Sequence, residues 1–363
     1  MKKIAFRLTV AAMVLLLTFS CTEKEKSYPL GGGTVESDPL ISGIYILNSG
    51  KMGSNNTVLS YFDVAKHELS ANVFELANGK KLGDTGNDMV IYGSKMYIAV
   101  TGSSRVFVTD LKGYLLKEIA VEGESANLSP RKLIAAKGKV YVSFMEGYVG
   151  AIDTAGYNVQ KVKVGPMPEG MAYANNKIYV ANSDGYNYEA GYGTSVSVID
   201  VSSFTVIKTI EVANNPQTLY AVSDSKVYLI SLGDYGEIPE KLQKINTNTD
   251  TVTEIPDIEP TDMAIGKDGI AYILSKEYDE KWNAVVSYTS FDTVKDKVIG
   301  ELVSSEDVPN GYSIFTDKVT GDIYIATSDY ISSGDLYVVT PDGQVVTKFD
   351  TGGLNPIAIC TVE

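Results

Sequence analysis

The feature that most constrains this chain is a short unit that recurs seven times after residue 40. A small turn leads into an apolar strand with Tyr near its start, as in Gly43-Ile44-Tyr45-Ile46, Lys95-Met96-Tyr97-Ile98 and Lys177-Ile178-Tyr179-Val180. The anchor tyrosines are Tyr45, Tyr97, Tyr141, Tyr179, Tyr228, Tyr272 and Tyr324, and their spacings run from 38 to 52 residues. That period fits a four-stranded antiparallel sheet repeated around an axis.

The rest of each unit agrees. From the second onward, a short apolar strand and a tight turn precede the Tyr strand, as in Gly170-Met171-Ala172-Tyr173 before Asn175-Asn176-Lys177. A third strand follows, such as Ser195-Val196-Ser197-Val198, and then a fourth that alternates polar and apolar, such as Lys208-Thr209-Ile210-Glu211-Val212. Period-two alternation bounded by Gly, Asn, Asp and Pro signals antiparallel strands, and helical spacing is hard to find after residue 40. The first unit lacks its innermost strand. The chain ends on Asn355-Pro356-Ile357-Ala358-Ile359, which resembles the inner-strand start Asn215-Pro216-Gln217-Thr218-Leu219. The expectation is an all-β, seven-bladed β-propeller, closed where the C-terminal strand completes the N-terminal blade.

Ahead of the repeats, residues 1–20 read as a secretory signal: Lys2, Lys3 and Arg7, then an apolar stretch from Leu8 to Phe19 too short to span a bilayer. Leu17-Thr18-Phe19-Ser20-Cys21 resembles a relaxed bacterial lipobox, which implies cleavage before Cys21 and its lipidation. Residues 21–39 then form the lipidated cysteine and a flexible linker with Glu-Lys-Glu-Lys, a Gly triplet and two prolines. Residues 40–363 are the propeller. A lipid-anchored location is expected, with membrane contact through the anchor alone.

Composition narrows the chemistry. The net charge is −14, and removal of the three cationic signal residues makes it −17, so nucleic acid is a poor partner. The one histidine, His67, falls in a tight turn, which leaves little room for histidine acid–base or metal chemistry. Cys360 is the cysteine that remains after Cys21; it reads as a small buried hydrophobe, with no internal disulfide. There is no Gly-rich phosphate motif, zinc spacing or CxxC, and one Trp is too few for quinone-docking repeats. The expectation is a binding protein with no catalytic residues, metal or cofactor.

Strands run A to D from the axis outward, so the A–B and C–D turns share one face and the B–C and D–A connections the other. The first face is closed by tight turns. The second carries longer loops rich in Tyr, Asn and Gly, residues that give area and adaptable hydrogen bonding to a large, flat, partly polar ligand or to a protein surface. Candidate ligand-binding residues there are Asn55, Asn56, Asn87, Tyr186, Asn187, Tyr188, Tyr192, Tyr235, Tyr278, Trp282 and Tyr330.

The opening Ile44-Tyr45-Ile46-Leu47-Asn48-Ser49-Gly50, then Gly53-Ser54-Asn55-Asn56 and Leu59-Ser60-Tyr61-Phe62-Asp63, resembles the start of YncE-like propeller lipoproteins of Bacteroidetes-type bacteria. Within them it is similar to the surface cobalamin-binding (BtuG-type) lipoproteins, over nearly all of residues 40–363. The resemblance implies an outer-membrane lipoprotein at the cell surface that captures a corrinoid, of the vitamin B12 type, and passes it to a TonB-dependent outer-membrane transporter. One departure is the alternating Glu23-Lys24-Glu25-Lys26 after Cys21, where surface-exported lipoproteins carry an acidic run. Two other readings are a propeller that grips another envelope protein without a small ligand, and a carboxylate-dependent propeller hydrolase or lyase.

Overall fold

Successive side chains of a strand point to opposite faces of its sheet, so a strand apolar on both faces needs packing partners on both sides. The Tyr strands are of this kind, and the fold supplies a neighbouring blade on each side. The computed structural model describes residues 43–279 and 284–362. It contains seven four-stranded antiparallel sheets. In blade two, strand A is Gly86–Tyr92, B is Lys95–Val100, C is Arg105–Asp110 and D is Leu115–Ile119. Blades three to seven repeat the plan.

Every anchor tyrosine lies in strand B and packs into the cluster shared with the following blade. Tyr97 joins Leu133 and Val142 of blade three, Tyr179 joins Leu219 and Leu229 of blade five, and Tyr228 joins Met263 and Phe291 of blade six. All seven anchors are at most 5% exposed. The alternate residues of the same strands, such as Ile44 and Ile46, face the preceding blade. The core is therefore seven apolar seams between blades rather than one central mass.

The seam between blades seven and one closes the ring. It unites Tyr324, Ala326 and Leu336 with Ile44, Ile46 and Phe62, and Phe62 stacks on Phe349 at 3.8 Å. The C-terminal strand Pro356–Val362 pairs antiparallel with Gly43–Asn48, from Gly43 opposite Val362 to Asn48 opposite Pro356. It is the inner strand of blade one, as the Asn355-Pro356 pattern indicated.

A polar clamp recurs on two seams. The Asp in the left-handed position of a C–D turn reaches back to the Tyr strand of the preceding blade. Asp250 (φ 54°) accepts from Tyr179 Oη at 2.7 Å and Lys177 Nζ at 2.9 Å. Asp296 (φ 54°) accepts from Tyr228 Oη, from Lys226 Nζ at 2.9 Å and from Lys244 Nζ. In blades three and four the same turn position holds Tyr157 (φ 59°) and Phe204 (φ 52°), which offer no carboxylate. The facing hydroxyls of Tyr97 and Tyr141 are buried without a partner.

Two details differ from the sequence reading. Val73–Asn78 is a six-residue α-helix between blades one and two, flanked by the left-handed residues Asn72 and Gly79, with Phe74 buried against Phe107 at 5.4 Å. Cys360 is only partly buried. Its Sγ lies 3.5 Å from the Met89 carbonyl oxygen, and burial pushes its thiol up to about 12.

Candidate functional site

The B–C loops are of unequal height. In blades two and three they are short turns, at residues 101–104 and 145–147. In blades four, five, seven and one they are longer, and the blade-six loop runs past residue 279, where description stops. This face thus has a short-loop side at blades two and three and a long-loop side, where the candidate tyrosines lie.

The blade-four loop is held by its own polar groups. Asn187 Nδ2 donates to Asp184 Oδ2 at 2.9 Å, a short 3-10 turn covers Tyr188–Ala190, and Gly193 N–H donates to Ser183 O at 2.7 Å. A Cβ on Gly193 would sit 2.3 Å from Asn182 O, so the loop's return requires glycine there. Tyr186 and Tyr188 project from this loop at 73% and 63% exposure, which leaves both rings free for a partner rather than covering a blade top.

The remaining tyrosines form two groups, each with one member at the axial cavity. Tyr192 meets Tyr235 edge-on at 6.0 Å between blades four and five. Between blades six and seven, Lys276 Nζ lies 5.5 Å from the Tyr278 ring and 5.2 Å from the Tyr330 ring, and Tyr330 meets Tyr312 edge-on at 5.7 Å. Burial, then the neighbouring Tyr278 phenol, raises the Tyr330 hydroxyl's pKa above its ordinary value. Tyr235 and Tyr312 both border a cavity of about 680 Å3 on the propeller axis. A side groove of about 610 Å3, bounded by Tyr235, Ile238, Glu240 and Tyr278, adjoins it. Burial, then the charges of Glu259 and Glu277, raises the Glu240 carboxyl.

Inner strands build the cavity wall, and its upper layer is polar. Arg131 and Glu169 form a two-pronged pair, Nε to Oε2 at 2.9 Å and Nη2 to Oε1 at 2.8 Å. With its amide turned to satisfy both neighbours, Asn87 donates to Arg131 O (3.1 Å) and accepts from Arg131 Nη1 (2.8 Å). Asp88 accepts the Leu133 N–H of blade three at 2.7 Å. Asp262 accepts Tyr220 Oη at 2.6 Å and the Ile314 N–H of blade seven at 3.0 Å. These two carboxylates pin one inner strand to the next, and burial raises the pKa of each. Below them Met171, Leu219, Met263 and Phe315 line the shaft, together with Tyr173, Thr316 and Lys318.

The candidates therefore separate by place. Tyr235 and Asn87 line the axial cavity, Tyr192 meets Tyr235, Tyr278 lines the adjoining groove, and Tyr330 reaches the cavity through Tyr312. Asn55 and Asn56 stand exposed on the blade-one loop, with Asn56 Oδ1 taken by the Lys51 N–H at 2.9 Å. Trp282 and Cys21 lie outside the described residues. His67 is exposed in the C–D turn of blade one, on the opposite face. Sequence reasoning missed Arg131, Lys132, Glu169, Asp88, Asp262, Lys276 and Tyr312. The available signal was a charged or amide pair, Asn87-Asp88 or Arg131-Lys132, opening an inner strand that must border a narrow axis.

Comparison with solved structures places the chain among propellers. A candidate 6-phosphogluconolactonase of Bacteroides fragilis is similar at a TM-score of 0.62 and 10% identity, with 91% of this chain and 100% of that one covered. A quinonprotein alcohol dehydrogenase-like protein of Bacteroides thetaiotaomicron gives 0.61 and 15%, over 88% of this chain and 77% of that one. Hydrazine synthase of Kuenenia stuttgartiensis gives 0.60 and 14%, over 75% and 88%. At such identities the likeness concerns the fold. No curated protein matches the chain in sequence. A family model described as a domain of unknown function (DUF5074) matches residues 42–266, from strand B of blade one to the A–B turn of blade six. Tyr278, Trp282, Tyr312 and Tyr330 lie beyond that match.

Proposed function

The chain belongs to the DUF5074 family, and from that premise we propose that it is a ligand-capturing surface propeller whose ligand is a corrinoid. It is lipid-anchored through Cys21 on the outer membrane and delivers its ligand to a TonB-dependent transporter. The observation that carries the reading is a chain of tyrosines that reaches a polar axial cavity of about 680 Å3: Tyr235 borders the cavity and meets Tyr192, and Tyr330 meets the cavity-lining Tyr312 and shares Lys276 with Tyr278. A corrinoid is a broad macrocycle with amide arms. Its faces need apolar cover, and its amides need hydrogen-bond partners once they leave water. The tyrosines offer the first and the cavity the second. The choice of a corrinoid rests on the resemblance of the opening blade. Ile331 and Met52, 87% and 82% exposed on the same face, offer apolar area to the transporter.

One fractionation tests capture and anchor together. Washed membranes of lipoprotein-processing cells that make the full chain should retain visible corrinoid absorbance after incubation with cobalamin. Cys21→Ala should move that binding to the soluble fraction. Absorbance in neither fraction contradicts capture, and absorbance that stays with membranes in the variant contradicts the anchor.

A further inference from the structure

Lys132 occupies a position in the shaft that the pinning of strands does not explain. It lies on the inner strand Pro130–Ala136 of blade three, beside the pair formed by Arg131 and Glu169. Its Nζ makes one hydrogen bond among the described residues, to Asn87 O at 3.2 Å, so two of its three donors are uncommitted. Its charge acts on Asp88 of blade two and also on Asp262 of blade six, on the far side of the ring. Lys132, Asp88 and Asp262 all border the axial cavity of about 680 Å3.

The charges around it select a ligand class. Among the described residues Asp88 and Asp262 accept every hydrogen bond they make, from backbone N–H groups and the Tyr220 hydroxyl. With Glu169 they set three carboxyl groups against the two cations Arg131 and Lys132, and Lys132 still needs acceptors. A carboxylate or phosphate arm would meet those three carboxyl groups at a cost in low dielectric. A neutral carbonyl or hydroxyl oxygen would accept from Lys132 without that cost, and an amide N–H or hydroxyl on the same arm suits the surrounding acceptors. Below, Met171, Leu219, Met263 and Phe315 give the arm's carbon chain an apolar bed.

We propose that the axial shaft is a subsite for a neutral amide- or hydroxyl-bearing arm of the ligand, recognised by the Lys132 ammonium. The proposal rests on the capture reading above and names the part of the ligand that enters the axis.

The test uses cobinamide, whose arms end in amides, and cobyrinic acid, whose arms are carboxylates. Titration calorimetry at pH 7 in 0.5 M salt screens the protein's overall negative charge and leaves the short-range charges of the shaft in force. Wild-type protein should bind cobinamide at least tenfold more tightly than cobyrinic acid. Lys132→Met, which keeps the stem and removes the donors, should weaken cobinamide binding at least tenfold. The wild-type comparison needs no substitution, so it stands even if the variant folds poorly. Equal binding of the two corrins, or cobinamide binding unchanged in a folded Lys132→Met protein, overturns the shaft proposal and leaves capture intact. No binding of either corrin by wild-type protein overturns capture and the shaft with it.

Discussion

Deletion of residues 354–363 should abolish cooperative folding. The lost strand Pro356–Val362 is the inner strand of blade one, hydrogen-bonded along Gly43–Asn48. Ala358 and Val362 sit in the seam with blade two, and Ile357 and Cys360 pack against it. Ile359 packs on the seam between blades seven and one. Asn355 adds two ties, accepting Ser328 Oγ at 2.6 Å and donating to Gly50 O at 3.1 Å. Full burial of a large aliphatic side chain contributes about 1.5–3 kcal/mol. Even with partial burial, the loss should be about 5 kcal/mol or more. It also exposes the unpaired edge and apolar faces of Tyr45 and Leu47. A domain stable by about 5–15 kcal/mol has little left after that. Urea unfolding followed by circular dichroism should show a broad, early transition. A midpoint and slope equal to wild type would mean that this strand does not close the ring.

Asp296→Ala should cost about 2–3 kcal/mol at neutral pH, because it leaves Tyr228, Lys226 and Lys244 without their shared acceptor, and hydrogen bonds to a charged group contribute about 1.5–3 kcal/mol. The pH dependence has a definite sign. Burial opposes ionisation of Asp296, but hydrogen bonds from Lys244, Tyr228 and Lys226 outweigh it and hold the carboxyl below its ordinary value. A depressed folded-state pKa gives stability that is complete above the unfolded value, about 3.9, and is lost as pH falls through the folded one. Wild-type protein should therefore lose more stability between pH 5 and pH 3 than Asp296→Ala, and the two should converge in acid. Tyr141→Phe is the contrast: its hydroxyl has no partner, and its removal should change stability by no more than about 0.5 kcal/mol. Denaturant unfolding at pH 7, 5 and 3 checks all three. A constant gap between wild type and Asp296→Ala would remove the clamp as the source of the acid sensitivity.

The blades were legible because each is written locally. A Tyr strand apolar on both faces, a Gly or Asn turn and an alternating outer strand are short-range signals, repeated seven times. Even closure could be read, since Asn355-Pro356 repeats the start of other inner strands. The helix Val73–Asn78 could not, because six residues are too few to show a helical period and its stability comes from Phe74 packing on Phe107. The tyrosine chain was half legible. Loop composition named Tyr192, Tyr235, Tyr278 and Tyr330, but gave no reason to separate them from Tyr186 and Tyr188. The shaft was legible only as isolated pairs such as Asn87-Asp88 and Arg131-Lys132, not as a layer. Asp88, Lys132, Glu169 and Asp262 lie on four different blades, and ring closure alone makes them neighbours. No window of sequence contains that layer, and the charges that open the inner strands of blades two, three, four and six look locally like solvated loop ends.

The face and the ligand are tested together by calorimetric titration of cobalamin into four proteins: wild type, Tyr186→Ala with Tyr188→Ala, the triple variant Tyr235→Ala, Tyr278→Ala and Tyr330→Ala, and His67→Ala. Exposed aromatic anchors at an interface cost about 1–4 kcal/mol each when truncated. The triple variant should bind at least tenfold more weakly than wild type, and His67→Ala, on the opposite face, should match wild type. The blade-four pair should fall between them, since those rings stand apart from the axial cavity. Cobalamin that binds the triple variant as tightly as wild type, or that fails to bind wild type, would contradict capture at the tyrosine chain.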